Sequence, residues 1–239
     1  MGEEQIQKDF FTGRITSGIK PHTIQLSIIN FIKQQLPLWR DDPERQNEES
    51  EPKLNPQLSK FLNTRTSGNI FPMIFFHHEE PQSDKRHVDI SVSPEKEIII
   101  EAQTYNKYEP VLVIECKRLP APTAKTEKEY VSSQSTAGGI QRFKLGLHGA
   151  KYDLAVMIGY IQKFTSDYWL TKVNCWILEL VKNPIGDGCV WGDDEILEES
   201  DINKSEDIRS YHSYHIRTCK KSTPIELHHL WISMNQGCK

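Results

Sequence analysis

Apolar residues recur at helical spacing across residues 23–36, at Ile24, Ile28, Phe31, Ile32 and Leu36, and Pro37 marks the end of the predicted helix. Residues 40–53 are dense in charge, contain Pro43 and Pro52 and lack an apolar period, which predicts a solvated loop. A short helix follows, with Leu54, Leu58, Phe61 and Leu62 on one face. Residues 70–76 read as a strand, and Pro72 inside it points to a sheet edge or a bulge. Residues 88–92 form a second strand and 97–102 a short one in a hairpin, while 111–117 is a continuous apolar run suited to a buried central strand. Residues 119–135 open on Pro120 and Pro122 and turn polar; Gly138 and Gly139 then start a helix that runs to about Leu147.

Residues 153–161 read as another apolar strand, in which Leu154, Val156, Ile158 and Tyr160 alternate against Ala155, Met157 and Gly159. Ser166 is placed to cap a long amphipathic helix with Trp169, Val173, Trp176, Ile177 and Leu180 inward. An acidic loop over 184–207 precedes two late strands, 211–217 and 225–234. This order predicts an α/β fold, with a mixed central β-sheet flanked by helices. Residues 1–20 are polar and are expected to be a flexible N-terminal segment. Residues 21–239 make one domain, which a chain of 239 residues can fill with a full core.

Charge and cysteine content narrow the class. A net charge of -4 gives no global attraction to nucleic acid, so any such binding needs a local basic surface, for which Lys125, Lys128, Lys144 and Lys151 are candidates. The five cysteines, Cys116, Cys175, Cys189, Cys219 and Cys238, show no CxxC spacing, which favours reduced thiols and a cytoplasmic location. No apolar h-region follows Met1 and no apolar stretch is long enough for a span, so neither a signal peptide nor a membrane contact is expected.

The chemistry concentrates at residues 87–119. Glu115 and Lys117 end the apolar run Val111–Ile114 and, two apart on a strand, point to the same face. A buried acid beside a buried amine costs free energy unless the two pair or hold a metal. Asp89, from the preceding apolar strand, would complete a divalent-cation site with a lysine beside it, a set suited to phosphodiester hydrolysis. A structural salt bridge at a strand end is the plainer alternative for Glu115 and Lys117. Glu101-Ala102-Gln103, after Ile98–Ile100, is a rival catalytic set that lacks the lysine.

Asp89 followed by Glu115-Cys116-Lys117 resembles the PD-(D/E)xK restriction-endonuclease-like nuclease superfamily. The resemblance spans roughly residues 50–235, and four further stretches look like a bacterial, defence-associated branch: Glu51-x-x-x-Asn55-x-x-Leu58, Glu129-Tyr130-Val131, Gly139-Ile140-Gln141-Arg142-Phe143 and Met157-Ile158-Gly159-Tyr160. The resemblance implies a restriction-endonuclease-like core. It also implies Asp89, Glu115 and the Cys116 carbonyl as ligands of Mg²⁺, for which Mn²⁺ can substitute, with Lys117 orienting water or neutralising charge. Glu51 would be the helical glutamate and an outer ligand, although Pro52 and Pro56 disturb its helix register. Gln141 and Arg142 would meet the DNA backbone or support the site.

The expected function is therefore DNA hydrolysis in restriction of foreign DNA. The protein would act as a homodimer that cuts both strands, or beside a helicase or sensor ATPase that selects the target. Cleavage of RNA by the same site, or a non-catalytic nucleic-acid-binding subunit of a defence complex, are the alternatives. His212, His215 and Cys219 with His228 and His229 suggest zinc, but on a strand positions three apart face opposite sides. His77 and His78 suit the polar end of a strand, Trp169 and Trp176 have core spacing, and no P-loop motif is present.

Overall fold

The computed structural model describes residues 22–66, 74–83, 86–100, 102–200, 208–218 and 223–235. The predicted flexible segment 1–20, most of the 70–76 strand, Glu101 and Cys219 lie outside them. Two helices, α1 (Thr23–Arg40) and α2 (Glu51–Thr66), precede the strands β1 (Ile74–Ser83), β2 (Arg86–Pro94), β3 (Ile98–Ile100), β4 (Gln103–Tyr105) and β5 (Leu112–Leu119). A 3₁₀ helix (Ala124–Tyr130) and α3 (Gly139–Lys144) lead to β6 (Leu154–Ile161), α4 (Ser166–Lys182), β7 (Glu198–Glu199), β8 (Ile208–His215) and β9 (Ile225–Ser233).

Seven strands form one mixed sheet in the order β1-β2-β5-β6-β9-β8-β7, and β3 with β4 makes a separate hairpin. The central strands β5, β6 and β9 are parallel, and the outer pairs are antiparallel. The fold is thus α/β with helices on both faces. The alternation read along β6 separates as expected. Leu154, Val156, Ile158 and Tyr160 join the layer under α1 and α2, while Ala155 and Met157 join the layer under α4. Parallel strands covered on both sides leave no polar face, which is why β6 is buried at every position.

Several boundaries differ from the sequence reading. Pro37 lies inside α1, which continues to Arg40. Trp39 is buried against Tyr160, with ring centroids 5.8 Å apart, and Arg40 donates to the Ser233 carbonyl, so tertiary contacts hold the last turn despite the proline. The charged loop ends at Ser50, whose carbonyl accepts the Lys53 and Leu54 amides, and Glu51 to Lys53 are already helical. Pro52 falls in the first turn of α2, where a missing amide hydrogen costs nothing. Thr165, not Ser166, caps α4, its hydroxyl accepting the Tyr168 amide at 3.2 Å. The five residues predicted to face inward from that helix are its buried set.

Candidate active site

The β2–β5 ladder runs from Val92–Leu112 to Ile90–Ile114. Val88 packs in the α4 layer whereas Ile90 and Val92 pack in the α1–α2 layer, so β2 turns over at Asp89. Where the ladder stops, Asp89 Oδ2 accepts the Cys116 amide at 2.7 Å, supplying the acceptor that a strand neighbour would otherwise provide. Burial first, and then the charge of Glu115, push the Asp89 carboxyl up to about 8 against the opposing pull of Lys117.

Glu115 and Lys117 share one face of β5, as their spacing requires. Glu115 is 0% exposed. Its Oε1 meets Lys117 Nζ at 2.9 Å and Arg142 Nη1 at 2.8 Å, and its Oε2 meets His148 Nδ1 at 3.0 Å. Burial alone would raise this carboxyl, but Lys117, His148 and Arg142 outweigh it and hold Glu115 down to about 2. Lys117 is buried too, yet Glu115, Glu51 and Asp89 raise its pKa above the usual lysine value, so it stays a cation.

The helix register left open by Pro52 and Pro56 brings Glu51 to the site. As the first residue of α2, Glu51 reaches Lys117 Nζ with Oε1 and the Arg118 amide with Oε2, each at 3.1 Å. Burial raises its pKa, with Lys117 opposing. One turn on, buried Asn55 accepts the Tyr160 hydroxyl at 3.0 Å. That contact ties α2 to β6, the parallel neighbour of β5.

Gln141 is 0% exposed. Its Oε1 accepts the Ser133 and Gly138 amides at 3.0 and 3.1 Å, and its Nε2 donates to the Ser133 carbonyl and to Asp187. The amide therefore holds the 133–138 turn, and the expected contact to a nucleic-acid backbone is not open to it. Arg142 is partly exposed and joins the site through Glu115. The paired glycines serve close approach: a Cβ on Gly138 would lie 2.3 Å from Ser132 Cα, and one on Gly139 2.9 Å from the Tyr130 carbonyl oxygen. Lys144 is also withdrawn from the predicted basic surface. It is 0% exposed and bonds Glu195 at 2.5 and 2.6 Å.

His148 escaped the sequence reading. The available signal was its bracketing by Gly146 and Gly149, both with positive φ, which marks a tight turn built around one side chain. The zinc set resolves otherwise. Ser213 Oγ sits 2.8 Å from both His215 Nε2 and His229 Nε2, and Tyr130 Oη sits 2.8 Å from His229 Nδ1 and from Trp231 Nε1. Indole is only a donor, so the Tyr130 hydroxyl accepts from Trp231 Nε1 while lying within hydrogen-bond distance of His229 Nδ1. His212 lies apart, half-buried beside Glu198.

Toward a metal, the carboxylates of Asp89, Glu115 and Glu51 and the Cys116 carbonyl are hard oxygen donors of the kind Mg²⁺ or Mn²⁺ takes. The raised Asp89 carboxyl is the group whose charge a cation would relieve. Both Glu115 oxygens, however, are engaged by Lys117, Arg142 and His148, and among the described residues no group of three His, Cys, Asp or Glu is arranged to hold an ion. The donor chemistry fits, and the geometry is that of an ion-pair cluster. Compared with known proteins, the chain matches no family model, no curated protein and no solved structure.

Proposed function

We propose that this chain is a Mg²⁺-dependent endonuclease with a restriction-endonuclease-like core, which hydrolyses DNA phosphodiesters in restriction of, or defence against, foreign DNA. One observation carries the reading: Asp89, Glu115, Lys117 and Glu51, drawn from three elements and 66 residues of chain, meet where β2 and β5 part. Glu51, Asp89, Glu115 and the Cys116 carbonyl would hold the cation. Bound there, Mg²⁺ would lower the pKa of a water molecule and neutralise charge on the phosphate. Lys117, kept protonated by its acidic neighbours, is suited to neutralise the developing negative charge rather than to accept a proton. Arg142, which pairs with Glu115, would exchange it for a phosphate oxygen. Cleavage of both strands would call for a homodimer or two events, and target choice for a partner such as a helicase or sensor ATPase.

A second reading draws on the same cluster. Both Glu115 oxygens are satisfied by Lys117, Arg142 and His148, as in a purely structural site, so the chain would be a non-catalytic nucleic-acid-binding or scaffold subunit. Supercoiled plasmid, incubated with purified protein in Mg²⁺, Mn²⁺ or EDTA beside Asp89→Ala, separates the two. Metal-dependent nicking that vanishes in the variant is the expected result. A folded protein that neither cuts DNA or matched RNA nor binds Mn²⁺ would fall to the second reading.

A further inference from the structure

Phe164 is 62% exposed in the turn between β6 and α4, and its backbone has φ 65°, a left-handed conformation that costs a bulky residue free energy. The turn is nevertheless firmly built. The Trp169 indole donates to the Lys163 carbonyl at 2.7 Å, and Thr165 caps the helix that follows. A defined and strained backbone thus presents an aromatic ring to solvent. That ring stacks on Tyr168, itself partly exposed, with centroids 4.4 Å apart and planes 26° from parallel.

The surroundings are charged in a particular way. Lys163, the preceding residue in the chain, is exposed, and Lys172 Nζ lies 5.8 Å from the Tyr168 ring centre. A cleft of about 280 Å³ adjoins Phe164 and is bordered by Arg209, which pairs with Glu199, and by Asp167, the opposing charge. The turn also borders the candidate site. Two residues before Phe164, Gln162 accepts from Arg118 Nε at 2.8 Å, and the Arg118 amide is bonded to Glu51.

We infer that the Phe164–Tyr168 stack is a platform for an unpaired nucleobase, so that the substrate of the neighbouring site is a strand with at least one base out of the duplex. A flat, exposed, stacked aromatic pair with cations along its margin is how sequence-tolerant binding of single strands is built. The choice of occupant rests on the phosphodiester reading, but the test does not depend on cleavage.

Fluorescence anisotropy of a labelled oligothymidylate, with the full chain in EDTA and again in Ca²⁺, provides that test beside an abasic oligomer of equal length. Wild type should bind the thymidylate more tightly than the abasic strand. Phe164→Ala and Phe164→Gly should lose about tenfold or more on thymidylate alone, and Phe164→Trp should retain affinity. Because glycine accepts positive φ without strain, Phe164→Gly should melt no lower than Phe164→Ala, which separates the role of the ring from folding. Equal affinity for the two strands, unchanged binding by Phe164→Ala, or no binding in either condition would overturn the platform. So would a self-association that Phe164→Ala abolishes while nucleic-acid binding stays constant. Stacking by a protein that neither cuts DNA or matched RNA nor binds Mn²⁺ would instead retire the hydrolytic reading and leave the platform standing.

Discussion

Glu115 bonds Lys117, Arg142 and His148 and has no exposed surface, so its removal is not a simple test of catalysis. Glu115→Ala would leave Lys117 and His148 buried with one partner fewer, at a cost of about 3–5 kcal/mol. Denaturant titration should show that loss, and Glu115→Gln, which preserves shape and keeps one acceptor oxygen, should recover part of it. Lys117→Ala and Asp89→Asn are the better probes of plasmid cleavage and should lower it by orders of magnitude. Gly138 gives a separate test of packing. Its missing Cβ would overlap Ser132 backbone, so Gly138→Ala should cost about 1–3 kcal/mol in thermal or chemical unfolding. At this scale Glu115 and Lys117 were legible because strand alternation fixes a shared face. The role of Gln141 was not, because whether a polar side chain faces solvent or binds its own turn depends on loop closure.

Among the elements, α4 was the most legible, since a 17-residue amphipathic stripe leaves little doubt about its buried face. Its cap fell one residue earlier than expected because Thr165 and Ser166 offer similar hydroxyls and only backbone conformation decides between them. Thr165→Ala should therefore destabilise the protein by about 1 kcal/mol, whereas Ser166→Ala should cost only a fraction of that; thermal melts of the two variants make the comparison. Pro37 misled for the opposite reason. Local sterics argue for a stop, and burial of Trp39 outweighs them. The 3₁₀ helix Ala124–Tyr130 had no apolar period to announce it, being buried only at Tyr130.

For the whole molecule, the two core histidines set a pH response. Burial lowers the pKa of both His215 and His229, which are 0% exposed. The unfolded chain binds protons at histidine below about pH 6.5. Their stabilising effect is therefore complete above that value and declines as pH falls, by about 1.4 kcal/mol per pH unit per histidine until the lowered folded pKa is reached. Asp89, raised to about 8, acts in the reverse sense: its cost accumulates as pH rises from about 4 to 8. Glu115 and Glu195, both held to about 2, add a further loss below about pH 4.5. The histidine part is thus best read as a difference. His229→Gln should narrow the stability gap to wild type as pH drops from 6.5 to 5, and a gap independent of pH would show that His229 does not carry the effect.

The sequence alone determined the α/β class, the faces of β5, β6 and α4, and the shared face of Glu115 and Lys117, because side-chain periodicity is set by local backbone geometry. Only the tertiary structure decided that Glu51 closes on Lys117, that Arg142 and His148 clamp Glu115, that Lys144 is buried on Glu195, and that His215 and His229 share Ser213. Those contacts join residues far apart in the chain. Their partners are chosen by strand order and by the need to satisfy buried polar groups, which no local pattern records.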